Sequence, residues 1–130
     1  MSDAKRERAL KAFLVLFGLI FIFGVHAFMH WFQHHAWVWT PSHSEYEQMI
    51  QGIYATLGVF MILAARDPVK HSSLIWFVIV SSLVHGGIMF VQALIDVTDR
   101  SNLAGDVPAL IIVALVLWFL MPNRRFWIAG

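Results

Sequence analysis

Four apolar runs fill most of the chain, Ala12–Phe32, Ile50–Ala65, Leu74–Ile95 and Val107–Met121, and none contains Asp, Glu, Lys or Arg. A bilayer core about 30 Å thick is crossed by roughly 20 helical residues. The first and third runs meet that length outright. The second and fourth meet it once Tyr46–Met49 and Leu103–Asp106 join them. A soluble helix would need a polar face, and Phe13–Val25 offers only apolar residues and Gly. Each Leu, Ile, Phe or Val at a helix centre favours insertion by about 0.3 to 0.6 kcal/mol, whereas one central Arg costs about 2.5 to 3.5 kcal/mol. With nothing to oppose that gain, the sequence predicts an all-α fold. It is an integral membrane, antiparallel four-helix bundle forming one domain over 1–130, with spans at about 12–32, 46–65, 73–96 and 106–121.

Charge placement sets the orientation. Lys5, Arg6, Arg8 and Lys11 precede the first span, Arg66 and Lys70 lie between the second and third, and Arg124 and Arg125 follow the fourth. Arg100 alone falls on the other side. By the positive-inside rule both termini are cytoplasmic, as an even number of spans requires. The basic start and apolar stretch resemble a signal peptide, but the run continues past Val25 with no small-residue cleavage site, so it reads as an uncleaved anchor. The chain has no Cys, which excludes disulfides, thiolate metal sites and cysteine nucleophiles.

The connections carry their own signals. Ser42 with Glu45 has capping-box spacing after Pro41. Ser72 or Ser73 can cap the third helix, Asp106 can cap the fourth, and Pro122 ends it. Val97–Gly105 reads as a polar outer loop. Trp31, Trp37 and Trp39 fall at the outer boundary and Trp76, Trp118 and Trp127 near the inner one, as aromatic belts do. Small residues recur at Gly18, Gly24, Gly52, Ala55, Gly58, Ser82, Gly86 and Gly87, with small-xxx-small spacing at Ser82 and Gly86.

The polar residues left inside the spans are the candidate functional set. They are His26, His30 and His34 with Gln33 in span one, Glu47, Gln51 and Tyr54 in span two, and Ser81, Ser82, His85, Gln92 and Asp96 in span three. Three- and four-residue steps put each set along one helix face, which should turn from lipid towards neighbouring helices. At about 1.5 Å per residue, His26, His85 and Tyr54 fall at one level, roughly 18 to 20 Å above the inner boundary. His30, Gln51 and Gln92 fall one turn further out, with Asp96 and Asp106 near the mouth. The expectation is a polar pocket open to the periplasmic side and sealed towards the cytoplasm by hydrocarbon.

Three chemistries suit those residues. His26 and His30, at i and i+4, with His85 opposite, form a three-nitrogen set for a metal ion. His26 and His85 at equal depth suit axial ligation of a haem, and one His suits a related pigment; Tyr54 and Gln92 would line such a cofactor site. The plain structural alternative is a membrane His bonded to Tyr, Ser or Gln on the next helix, holding the helices together at about 0.6 kcal/mol per bond. His34, His35 and His43 read as loop residues and His71 as a capping or headgroup-facing residue. Met29, Met49, Met61 and Met89 read as packing.

Other activities lack their motifs. There is no G-x-S-x-G, Gly-rich phosphate loop, H-E-x-x-H or dinucleotide fingerprint. Glu45 and Glu47 point to different faces. No carboxylate lies at mid-membrane to couple protons or sodium to transport, and no helix is broken there. The basic inner residues suit anionic lipid, and a solvated positive-inside face accounts for them equally. Nothing points to nucleic acid.

The stretch from Gly52-Ile53-Tyr54 through Leu57-Gly58-Val59-Phe60, Ala64-Ala65-Arg66-Asp67-Pro68, Ser72–Phe77, Ser81–Gly86 and Gln92-Ala93 to Gly105–Leu110 resembles an uncharacterised family of small bacterial four-span membrane proteins. The resemblance covers about residues 50–122. It implies a four-helix architecture and draws attention to Tyr54, Arg66, Asp67, His85, Gln92 and Asp106, leaving His26 and His30 outside. The sequence is therefore expected to encode a non-enzymatic accessory or structural subunit of a larger bacterial inner-membrane assembly, partnered by the lipid bilayer and by other membrane subunits or further copies of itself. The alternative is a membrane protein binding a metal, haem or pigment through His26, His30 and His85.

Overall fold

Residues 3–24, 27 and 44–121 are described by the computed structural model. Helix α1 spans Asp3–Leu19 and widens into one π-helical stretch, Ile20–Gly24. Helix α2 spans Ser44–Ala64, α3 Ser72–Ile95, and α4 Asp106–Leu120. A 3-10 helix, Val97–Leu103, lies between α3 and α4, within the stretch expected to be a polar loop. The described residues contain four α-helices and no strand.

Helix α1 starts well before the apolar run because residues 3–11 hold no Gly or Pro. It also has an i, i+4 ion pair, Glu7 Oε1 to Lys11 Nζ at 2.7 Å, in the favourable order. Two capping expectations are corrected. His71, not Ser72 or Ser73, holds the N-cap position of α3, and Gly105, not Asp106, that of α4; neither makes a side-chain cap bond. Asp106 is instead the first residue of α4, where a negative side chain complements the helix dipole. Helix α4 ends at Leu120 with Met121 extended, the conformation that the following Pro122 favours. The turn after α2 is tight: the backbone N–H of Lys70 donates to Asp67 Oδ1 at 3.1 Å and that of His71 to Asp67 O at 3.2 Å.

The helices run antiparallel to their neighbours, as the pairings along them require. On α1 and α2, Gly18 meets Gly58 and Ile62, and Phe21 meets Tyr54. Later residues of α1 thus meet earlier residues of α2. Gly86 of α3 meets Val107, Leu110 and Ile111 of α4, and Ser82 is buried one turn away on α3. Arg6 near the start of α1 meets Phe119 near the end of α4. The closest approach is between α1 and α2. A Cβ added at Gly18 would stand 2.7 Å from the Gly58 carbonyl oxygen, and one at Gly58 would stand 2.5 Å from that of Gly18. Only glycine fits either position.

One apolar core joins all four helices: Leu10 and Leu14, Met61 and Ala64, Ile75, Val78 and Ile79, and Val113, Ala114 and Leu117. All but Leu14 and Val113, which sit near the middle of their helices, lie in the half nearer Arg66–Lys70, the basic end. Among the described residues, no atom lies within 4 Å of a Cβ added at Gly52 or Gly87. Large apolar side chains are exposed along α3, including Phe77, Leu83, Val84, Ile88, Val91 and Leu94. Among the described residues α3 is the one helix long and apolar enough to cross a membrane, while 48–64 and 106–120 form shorter apolar helices.

Candidate functional site

Interior placement of Tyr54 follows from its stripe. Tyr54, Gly58, Met61 and Ala65 share one side of α2, and the last three are buried. Tyr54 itself is half-buried, with its ring edge-on to Phe21 at 5.2 Å and 76°. Phe21 ends an aromatic ladder on α1: Phe13 and Phe17 stack at 4.2 Å, and Phe17 and Phe21 meet edge-on at 6.5 Å. The four-residue spacing of these phenylalanines was the available signal for a wall that the sequence reading did not single out.

The Tyr54 phenol crosses from α2 to α3, where its oxygen lies 3.1 Å from His85 Nδ1. The bond runs either way according to tautomer. The phenol donates to a bare Nδ1, or Nδ1–H donates to the phenol oxygen. His85 sits at the flank of the buried α3 stripe (Ile75, Val78, Ile79, Ser82, Gly86) and is exposed. Asp106, half-buried at the start of α4, stands within electrostatic reach of both Tyr54 and His85. Phenol, imidazole and carboxylate from three helices thus converge towards the end opposite the basic one.

Other expected members fare differently. Gln92 is exposed two turns beyond His85, roughly 10 Å along the helix, so it belongs to a separate level. Its backbone carbonyl accepts the N–H of Asp96. Ser81 Oγ donates to the Val78 carbonyl at 3.2 Å, and Thr56 Oγ1 to that of Gly52 at 2.8 Å. Both hydroxyls are satisfied by their own helices. His26 and His30 lie outside the described residues. Among the described residues no group of three His, Asp or Glu side chains is placed to hold a metal ion.

The arrangement can do two things chemically. It ties α2 to α3 through an exposed hydrogen bond beside a carboxylate. It also fixes the plane of the His85 ring, and when Nδ1–H donates to Tyr54 the remaining nitrogen, Nε2, carries the lone pair that a cofactor would use.

No curated protein and no solved structure matches the chain. The family match runs over residues 4–125, wider than the stretch from 50 to 122 that carried the resemblance, so the first helix and the positions of His26 and His30 fall inside it. The chain belongs to DUF6632, a family of unknown function.

Proposed function

We propose that this chain is a four-helix integral membrane protein with both ends on the cytoplasmic side, serving as a non-enzymatic accessory subunit of a larger inner-membrane assembly. The observation that carries the membrane reading is the inverted surface of α3. Phe77 is 60% exposed, Val84 57% and Leu94 59%, while Ser82 on the same helix is 6% exposed. Monomeric soluble proteins rarely expose contiguous apolar patches beyond a few hundred Å², and hydrocarbon removes the cost of doing so. At 24 residues α3 is about 36 Å long, enough to span. At 15 residues α4 is about 22 Å long, and local thinning of the bilayer, or the 3-10 helix before it, covers the remainder. The absence of cysteine makes topology directly testable. Single cysteines at Val69 and Asn102 should react with impermeant maleimide from opposite sides of sealed vesicles. Reaction of both from one side would overturn the arrangement.

The accessory role is tested by the state in which the protein is extracted. In mild detergent the protein should migrate with partners or as an oligomer. A lone species of 14.9 kDa protein mass would count against it.

A second reading is favoured by the Tyr54–His85 bond at 3.1 Å, which orients an imidazole as ligand sites do. Here His85 would bind a haem, pigment or metal, with His26 and His30 as further candidates. An absorption spectrum and metal analysis of the purified protein decide it, since a colourless, metal-free sample excludes all three.

A further inference from the structure

Among the described residues of the basic end, one cation is unlike its neighbours. Lys5, Arg8, Arg66 and Lys70 are exposed, and Lys11 is paired with Glu7. Arg6 is half-buried, with its guanidinium carbon 5.5 Å from the centre of the Phe119 ring. Its Nε is enclosed without a hydrogen-bond acceptor. A buried N–H on a charged group is costly to leave unmet, and no acceptor meets this one among the described residues. The chain offers few. The acids at this end are Asp3, Glu7 and Asp67. Glu7 is engaged by Lys11 and Asp67 by the backbone N–H of Lys70. Residues 107–130 contain no Asp or Glu at all but add Arg124 and Arg125.

We propose that Arg6, seated on Phe119 where α1 meets α4, binds the phosphate of an anionic phospholipid headgroup. With the side chain turned so that Nε and one terminal nitrogen face a phosphate together, the guanidinium offers the two-pronged geometry for which it is suited. The ring of Phe119 holds the cation in place while its positive charge stays available. Lys5, Arg8, Arg66 and Lys70 form the surrounding positive field that draws an acidic headgroup in. The site lies at the cytoplasmic boundary of the proposed bilayer and rests on that membrane reading.

The test uses the full chain with phosphatidylglycerol, phosphatidylcholine and inorganic phosphate as probes. The protein is first reconstituted into vesicles of each lipid. Failure to insert into either overturns the membrane reading itself. Given insertion, lipid retained by the detergent-extracted protein is counted by native mass spectrometry. Phosphatidylglycerol should be retained in preference to phosphatidylcholine. R6Q should weaken that retention about fivefold, the ratio for one basic side chain at an anionic surface, and R8Q should weaken it less. F119L, which leaves every charge in place, should also weaken it, an effect that a diffuse basic collar would not produce. Equal retention of both lipids, or equal effects of R6Q and R8Q, would overturn the proposal, as would unchanged binding by F119L. Inorganic phosphate binding as tightly as phosphatidylglycerol through Arg6 would reassign the site to a free anion.

Discussion

Replacing Gly58 by Ala tests the closest helix contact at a glycine among the described residues. The new Cβ would stand 2.5 Å from the Gly18 carbonyl oxygen and 2.9 Å from Ile22 Cγ1. Ordinary contact begins near 3.4 Å, so α1 and α2 must separate by roughly 0.9 Å, because the nearest atom is backbone and cannot rotate aside. Overpacking of this kind costs about 1–3 kcal/mol, and a backbone neighbour puts this site at the upper end. Alanine returns up to about 1 kcal/mol of helix propensity, leaving a net loss of about 2 kcal/mol. Separation also draws Phe21 from Tyr54 and loosens Leu10 and Leu14 against Met61. Gly52→Ala is the control. Among the described residues its Cβ meets nothing within 4 Å, so propensity dominates and the variant should match or exceed wild type by about 0.5–1 kcal/mol. Unfolding in mixed micelles of increasing SDS fraction, followed by circular dichroism, measures both. The reasoning is refuted if Gly58→Ala is as stable as wild type, or if the two glycine variants shift in the same direction.

Three further outcomes follow from the same geometry. Tyr54→Phe and His85→Ala should couple in a double-mutant cycle by about 0.6 kcal/mol, and at most about 1.7; a coupling of zero would remove the cross-helix bond from the account. Met61→Ala, at a fully buried core position, should cost about 2–5 kcal/mol. Its neighbour Phe60, 53% exposed, should change stability by no more than about 0.5 kcal/mol when cut to Ala, and equal losses at the two positions would contradict the assigned faces.

Much of the helix layout was written in hydropathy. The runs starting at Ile50, Leu74 and Val107 became α2, α3 and α4 with ends shifted by a few residues, because a helix satisfies the backbone hydrogen bonds of a long apolar run within the run itself. Helix starts were harder to read. Ser72 and Asp106 have capping chemistry, yet the chain enters α3 through His71 and α4 through Gly105, since the preceding turns at Asp67 and Asn102 already fix the backbone. Periodicity placed Tyr54 and His85 at one level, and their hydrogen bond agrees. It overstated the company they keep. Gln92 shares the flank of His85 but not its level, because seven residues return to the same side two turns away. The Gly18–Gly58 approach was visible only as a scatter of small residues, since which glycine meets which is decided between helices and not along them. The seat of Arg6 on Phe119 joins positions 113 residues apart in the chain, a distance over which no local pattern speaks.

The central claim is that the exposed apolar side of α3 faces hydrocarbon, and a nitroxide placed there reads it directly. With Ile88, 54% exposed at mid-helix, replaced by a spin-labelled cysteine in reconstituted vesicles, relaxation should be strong with oxygen and weak with a water-soluble nickel chelate, and a label at Val69 in the inner turn should show the reverse. Relaxation of the Ile88 label by the nickel chelate to the degree seen at Val69 would contradict the account.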